Sequence, residues 1–303
     1  MTATVLSGKE PAAEIRAQVK ERFQRLAARD IVPGLAIVTV GEPPAGNPYV
    51  RSKSRAAEEL GVRARVERLP ASTTAKTLHE TLLGLSRDRG VHGVILQLPL
   101  PVQLHEDEFL EDVTPVKDVD GLHPWNVGLW THGLKAHRPA TPLGVIELLR
   151  RQCGDLGGKR IVVMGRSRIV GRPLSILLSE RAPGMNATVT LCHSATRDLP
   201  SVTKEGEILI VAIGTRRRID ARYVRPGAVV IDVGIHPIEN PSPGGPKFEG
   251  DVDFESVRGV ASAITPVPGG VGPMTVALLL RNLADAVEEQ EGDAMKRATE
   301  GAR

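Results

Sequence analysis

Tyr49 and Lys53 stand at a spacing that can build a reaction centre. Both lie in "PYVRSK" (48–53), just past the Pro/Gly-rich stretch "GEPPAGNP". The next segment, "SRAAEELGV", reads as a helix closed by Gly61. Residues i and i+4 share a helix face, so an aromatic ring and an amine point the same way from one first turn. The alternative is a solvated helix face. A second group is "KDVDGLHPWNVG" (117–128), with Asp118, Asp120 and Gly121. It comes after the strand pattern "VILQLPLP", and open α/β sheets bind ligands beyond the C-terminal ends of their strands. Two aspartates at i and i+2 can begin a calcium loop, but no further ligands follow, so no metal site is expected. A plain Asx-turn is the alternative for this loop.

Two glycine-rich turns complete the candidates. "KRIVVMGRSRIVGRPLSILLSER" reads as strand, tight turn and helix, with Gly165 after the strand and Gly171 and Pro173 opening the helix. Such a turn aims backbone N–H groups and the positive helix end at a phosphate. Ser167 holds the middle glycine position of the usual dinucleotide fingerprint, so the turn alone is a moderate signal. After the next strand, NAD-binding folds place a carboxylate on the ribose 2′-OH. Here the chain offers His193, Ser194, Thr196 and Arg197, with no carboxylate before Asp198, and the turn adds Arg166 and Arg168. Cations and hydroxyls in that place suit a 2′-phosphate, which points to NADP rather than NAD. The last segment, "SAITPVPGGVGPMTVALLLRNLADAV", sets Pro266, Pro268, Gly269, Gly270, Gly272 and Pro273 before an apolar helix opened by Met274 and Thr275. It can bring backbone close to a ligand, or be a structural turn with a cis proline.

Strand and helix patterns alternate around these groups. Helical spacing runs through "EPAAEIRAQVKERFQRLAARD", "TAKTLHETLLGLSRDRG" and "LGVIELLRRQ", with a short helix-like "HEDEFLEDV". Strands are expected at "GLAIVTVG", "ARVERLP", "VHGVILQLPLP", "KRIVVMG", "ATVTLCHS", "EILIVAIG" and "AVVIDVG". Repeated βα units predict a mostly parallel sheet with helices on both faces, an α/β protein. "HPIENPSPGGPKFEG" (236–250) reads as a loop, and the polar stretch from residue 288 as a fraying end.

Composition narrows the classes. Across 303 residues, Lys and Arg number 39 against 36 Asp and Glu, and aromatics are 3%. That balance argues against a nucleic-acid partner. No apolar run is long enough for a membrane span, so no membrane partner is expected. Two cysteines without metal spacing, Cys153 and Cys192, fit a reducing compartment, and "MTATVLSGKE" lacks a signal-peptide pattern. A cytoplasmic protein is expected.

In order and spacing, "YVRSK", "GVILQLPLP", "KDVDGLHPWNVG", "GRSRIVGRP", "GDV" and "ITPVPGGVGPMT" resemble the bifunctional methylenetetrahydrofolate dehydrogenase/cyclohydrolase family, from about Leu6 to about Val287. The resemblance implies oxidation of 5,10-methylenetetrahydrofolate with NADP to the 5,10-methenyl form, then hydration to 10-formyltetrahydrofolate. It implies two α/β domains around a cleft, the second a Rossmann-like doubly wound parallel sheet, in a homodimer. Residues 1–142 with the C-terminal helix 274–303 would hold the folate, and 143–273 the NADP. By the family's pattern Tyr49 stacks on the aminobenzoyl ring, Lys53 handles the proton of the hydration step, Gln97 orients the lysine, and Asp120 hydrogen-bonds the pterin. Pro266, Gly269 and Gly270 match the folate-contacting loop. Gly165, Arg166, Ser167, Ile169, Val170, Gly171, His193, Ser194, Thr196, Gly214 and Ile235 match the cofactor site. Gly46 stands where the family usually has a serine, Ala140 where it often has cysteine, and "GTRRRID" is more basic than the family pattern, with Arg216–Arg218 read as a solvated face or extra phosphate attraction. A monofunctional NADP-dependent dehydrogenase and a non-catalytic folate- or nucleotide-binding paralogue are the alternatives. The presence of Tyr49, Lys53, Gln97 and Asp120 argues against both.

Overall fold

A computed structural model describes residues 2–41, 48–238 and 248–300, with side chains to residue 292. Gly46 and most of the 236–250 loop lie outside the described residues. In chain order the elements are β1 (Thr4–Val5), α1 (Lys9–Ala27), β2 (Gly34–Val40), α2 (Pro48–Glu58), β3 (Arg63–Leu69), α3 (Ala75–Arg87) and β4 (Gly93–Leu96). There follow α4 (Pro124–Thr131), α5 (Ala140–Cys153), β5 (Arg160–Met164), α6 (Gly171–Ser179), β6 (Thr188–Cys192), α7 (Leu199–Lys204), β7 (Ile208–Val211) and β8 (Val229–Asp232). The last are β9 (His236–Pro237), β10 (Phe248–Glu249), α8 (Phe254–Arg258), β11 (Ala263–Ile264) and α9 (Val271–Glu300). The chain divides into two compact units, residues 14–140 with 276–303, and residues 1–13 with 141–275.

The first unit is built on a parallel sheet in the order β3-β2-β4. Every residue of the central β2 is buried, which its unbroken apolar run "GLAIVTV" demands. The edge strand β3, "RARVERL", is polar and partly exposed throughout, as an edge that must avoid pairing with another chain should be. Helix α1 buries Ile15, Val19, Phe23 and Leu26, one stripe at helical spacing. Helix α3 is capped by Thr74, whose side chain accepts the Thr77 N–H, and buries Leu78, Leu82 and Leu85. Each large apolar side chain so buried contributes about 1.5–3 kcal/mol. Buried His92 ties α9 to this sheet: its Nδ1 accepts the Gly34 N–H at 3.0 Å, its Nε2 lies 3.4 Å from Glu291, and its carbonyl accepts from Gln290. "HEDEFLEDV" contains only a 3-10 turn at Glu106–Glu108, too short a run to propagate as an α-helix.

The second unit holds a six-stranded parallel sheet in the order β1-β11-β8-β7-β5-β6. The chain leaves β5 for β6 on one side and returns to β7 on the other, so the order reverses at β5. That reversal is the switch point of a Rossmann-like doubly wound sheet. The first thirteen residues, which the family pattern groups with 1–142, supply β1 to this sheet. Helix α9 opens at Val271, three residues ahead of the expected Met274, and runs to Glu300, through the polar stretch expected to fray.

Candidate active site

Helix α2 begins at Pro48, a residue favoured in a first turn, and carries Tyr49 and Lys53 on one face. Lys53 reaches Gln97 and Asp120. Its Nζ donates to Gln97 Oε1 at 3.4 Å and stands 3.8 Å from Asp120 Oδ2. Gln97 sits one residue past β4, where its own N–H still bonds the Val38 carbonyl. Its Nε2 is committed to the Leu98 carbonyl at 2.8 Å, which leaves Oε1 as the atom facing the lysine. A cis peptide follows, between Leu98 and Pro99. Burial pushes the Asp120 carboxyl above the usual carboxylate range; Lys53 pulls against this and Asp118 adds to it. Enclosure of the Tyr49 phenol pushes it up to about 12, so this hydroxyl stays protonated at neutral pH.

The two aspartates of the acidic loop have different work. Asp118 is buried and faces inward: one oxygen accepts the Leu122 N–H at 3.1 Å, the other the His123 N–H at 2.8 Å and Asn126 Nδ2 at 2.9 Å. Its backbone also bridges to Val94 of β4. Lys117 spends its ammonium on the Asp88 carbonyl at 2.7 Å, and burial lowers its pKa. From α9, Asn282 Nδ2 donates to both the Val119 and Arg138 carbonyls at 2.9 Å. Thus the acidic loop is fastened on both sides of Asp120, while Asp120 itself faces the lysine. The anchoring residues Asn126 and Asn282 give no sign in the sequence, because a lone asparagine on an apolar helix has many uses.

Pro266, Gly269 and Gly270 belong to the other unit. The Val267–Pro268 peptide is cis, and Gly269 has φ +108°. Gly270 donates to the Pro266 carbonyl at 2.8 Å, and Gly8 donates to the Gly269 carbonyl at 2.8 Å. A Cβ on Gly270 would lie 2.7 Å from the Pro266 carbonyl oxygen, so close backbone packing already accounts for part of this glycine pattern.

The glycine turn after β5 fits a dinucleotide. Gly165 has φ +109°, and a Cβ there would meet the Ala212 carbonyl oxygen at 2.0 Å. A Cβ on Gly171 would meet the Gly165 carbonyl oxygen at 1.9 Å, so strand end and helix start touch through their backbones. Ser167 Oγ accepts the N–H groups of Val170 and Gly171 at 3.2 and 3.4 Å, closing the turn that lacks the middle glycine. Arg166, Arg168 and Ile169 project outward. After β6, Thr196 Oγ1 accepts the His193 N–H at 3.0 Å and His193 Nδ1 accepts from Ala195, which leaves the Ser194 hydroxyl exposed. Asp198, at φ +47°, caps α7 by accepting from Ser201. The nearest carboxylate is therefore spent on a helix end, and the side chains beside the turn are hydroxyls and cations, which suit a 2′-phosphate.

Gly214 follows β7 with φ +67°, and Ile235 follows β8. Beside them Asp232 and Asp251 form a buried pair, of which only Asp251, in the "GDV" run, belongs to a motif read from the sequence. Asp251 accepts the Ile213 and Gly214 N–H groups on Oδ2 at 2.7 and 3.0 Å, and faces His236 Nε2 through Oδ1 at 2.7 Å. Asp232 accepts from Gly234, Asp251 and Val252, and burial pushes it up to about 7 against the pull of those N–H groups. Arg216 pairs with Glu249, and Arg217 with Asp253. Two of the three arginines of "GTRRRID" are thus surface ion pairs flanking this loop.

Comparison with known proteins gives one pattern along the chain. Residues 6–120 match the tetrahydrofolate dehydrogenase/cyclohydrolase catalytic domain, and residues 139–291 match the NAD(P)-binding domain of the same family. The chain is 47% identical over 289 residues to the bifunctional protein FolD of Halalkalibacterium halodurans, covering 95% of this chain and 100% of the relative. Among solved structures, the bifunctional FolD methylenetetrahydrofolate dehydrogenase/cyclohydrolase of Campylobacter jejuni is 42% identical, with a TM-score of 0.87 over 95% of this chain and 99% of that one. The Trypanosoma brucei dehydrogenase-cyclohydrolase, complexed with NADP and an inhibitor, is 35% identical, with a TM-score of 0.88 over 96% of this chain and 99% of that one.

Proposed function

The chain belongs to the tetrahydrofolate dehydrogenase/cyclohydrolase family, and from that premise we propose that Lys53, Gln97 and Asp120 form the centre of its two reactions. The protein oxidises 5,10-methylenetetrahydrofolate to the 5,10-methenyl form with NADP and hydrolyses the methenyl form to 10-formyltetrahydrofolate. One observation carries the assignment of residues: a single lysine amine placed between an amide oxygen and a carboxylate, at 3.4 and 3.8 Å.

The chemistry follows from that placement. The methenyl product is a cation, and water adds to it only as a proton leaves. Lys53 takes that proton. Gln97, fixed by its bond to the Leu98 carbonyl, holds the amine in line. Asp120 stands where a carboxyl raised by burial can hold the pterin by hydrogen bonds, and as a carboxylate it would balance the charge that Lys53 gains on taking the proton. The Tyr49 ring supplies a stacking face for the aminobenzoyl group. Bound NADP supplies the hydride acceptor for the oxidation. Gly165, Ser167 and Gly171 form the tight turn that would let its phosphates approach the start of α6, Arg166, Ile169 and Val170 would line the same turn, and His193, Ser194 and Thr196 would meet the 2′-phosphate. Gly214 and Ile235 complete that site, and Pro266, Gly269 and Gly270 meet the folate. Residues 14–140 with 276–303 carry the folate chemistry and 141–275 the cofactor.

Two coarser features complete the proposal. The protein forms a homodimer through β6, the outer strand of the six-stranded sheet; its Leu191 and the nearby α6 residue Ile176 are exposed apolar side chains on that edge. It works in the cytoplasm, in keeping with two free cysteines, and among the described residues no helix is long and apolar enough to cross a membrane.

The test is Lys53→Met, assayed with 5,10-methylenetetrahydrofolate and NADP while NADPH and the methenyl form are followed before and after acidification. Acid returns the 10-formyl product to methenyl. Hydration should fall by about 10²–10⁴-fold, the range for a lost general base. Undiminished hydration would remove Lys53 from this role.

A further inference from the structure

We propose that Asp251 is a positioning residue for the cofactor: its buried carboxylate holds the Ile213–Gly214 turn in the form that binds NADP. The inference rests on the reading of Gly214 and Ile235 as cofactor contacts. It starts from a placement that folding alone does not explain. Asp251 has no exposed surface, yet it is a carboxylate, and burying one is costly unless its acceptors are filled. They are filled by two consecutive backbone N–H groups, Ile213 and Gly214, on one oxygen, and by His236 on the other.

These partners sit at the ends of neighbouring strands. Ile213 and Gly214 follow β7, and His236 follows Ile235 after β8, at the edge where open parallel sheets bind ligands. Two successive N–H groups aimed at one atom fix the peptide planes of the turn. With Gly214 at φ +67°, this sets which way the following backbone faces. The carboxylate is fixed in its turn: the Asp251 N–H bonds Asp232 Oδ1, Val252 N–H bonds Asp232 Oδ2, and the Asp232 N–H bonds Thr265 Oγ1. No space is left for rearrangement. A Cβ on Gly250 would lie 1.8 Å from Asp232 Oδ2, and one on Gly234 would lie 2.3 Å from Asp251 Cγ. This is how a supporting group locks residues that touch a ligand. It also gives the "GDV" run its purpose: glycine for contact, aspartate for the turn, valine for the N–H.

The experiment begins in the cofactor-free protein. Asp251→Asn keeps the size but removes the charge and one acceptor edge. It should speed hydrogen exchange at the Ile213 and Gly214 amides, and raise the NADP dissociation constant measured by calorimetry by about tenfold or more. Hydration of supplied methenyltetrahydrofolate, which uses no cofactor, should stay within about twofold. His236→Leu withdraws one donor from a partly exposed position and keeps the question answerable should Asp251→Asn not fold. It should weaken NADP binding about threefold, with His236→Gln restoring it. Parent-like NADP affinity in both Asp251→Asn and His236→Leu, with the parent's Gly214 amide protected by NADP, overturns the inference and leaves the cofactor reading standing. No protection of that amide by NADP in the parent overturns the reading of Gly214 and the inference with it.

Discussion

Asp118→Asn is the most informative single change, because it alters a buried anchor two residues from Asp120 while keeping its shape. The carboxylate takes three donors: Leu122 N–H on one oxygen, His123 N–H and the Asn126 amide on the other. An asparagine can serve only one side. Its best orientation keeps His123 and Asn126 and turns an NH2 toward the Leu122 N–H, leaving that donor unpaired at a cost of about 1–3 kcal/mol. The two retained bonds change from charged to neutral acceptors, at about 1 kcal/mol each. The total is about 3–5 kcal/mol. For a unit of this size, that lowers Tm by about 6–20 °C. Native proteins hold about 5–15 kcal/mol, so the variant stays folded at 25 °C over nearly all of that range. There the loosened loop lets Asp120 drift from Lys53, and a small misplacement of a catalytic group is costly. Hydration should fall at least about tenfold. Urea unfolding and the acid-quench assay read the two effects. A stability loss under about 1 kcal/mol refutes the anchor. The full loss of stability with unchanged hydration refutes the link between anchor and chemistry.

Three further outcomes are expected. Gly165→Ala places a Cβ 2.0 Å from the Ala212 carbonyl oxygen at φ +109°, so the turn must shift; the KM for NADP should rise about tenfold, worth ~1.4 kcal/mol, while hydration persists, and a parent-like KM would count against the turn as the phosphate site. Burial holds His92 below its ordinary value, and its neutral Nδ1 accepts the Gly34 N–H. A group with a depressed folded pKa contributes fully above its unfolded value of about 6.5, and that contribution is lost as pH falls through the lower folded value. The urea midpoint should therefore fall from pH 7 to pH 5, and less so in His92→Asn, whose Oδ1 can accept the same N–H; parallel curves would exclude His92 as the source. Leu191→Lys should lower the molar mass by half in sedimentation, and an unchanged mass would move the dimer surface elsewhere.

Much of this architecture is written in local pattern. The apolar run of β2, the stripe Ile15–Val19–Phe23–Leu26 and the glycine turn at Gly165 each depend on neighbours in sequence, and each is legible there. Tyr49 and Lys53 stand out by their spacing, but the roles proposed for them and for Gln97 and Asp120 come from resemblance, since nothing local separates Asp120 from Asp118. The distinction is made by Asn126 and by backbone N–H groups that only the folded loop brings round. Strands β1 and β11 leave no trace in local pattern for a related reason. Each is two residues long, too short for any periodicity, and each exists because it pairs with a strand distant in sequence. The roles of Asp232 and Asp251 are of the same kind: the N–H groups that hold each carboxylate come largely from segments distant in sequence and meet it only in the folded chain.

The interleaving of the two units bears on how the protein is made. Strand β1 is among the first residues to leave the ribosome, yet its partner β11 lies some 260 positions later. The unit carrying Lys53 and Asp120 draws on residues 276–303, and Asn282 reaches back to the Val119 and Arg138 carbonyls. Leu283 packs so closely on β4 that a Cβ added to Gly93 would lie 2.8 Å from its side chain. Neither unit can complete its core during translation until α9 has emerged. A chain released early at any point before residue 276 lacks the clasp that fastens the acidic loop. An interrupted message therefore yields no half-enzyme able to make the methenyl cation and leave it unhydrated.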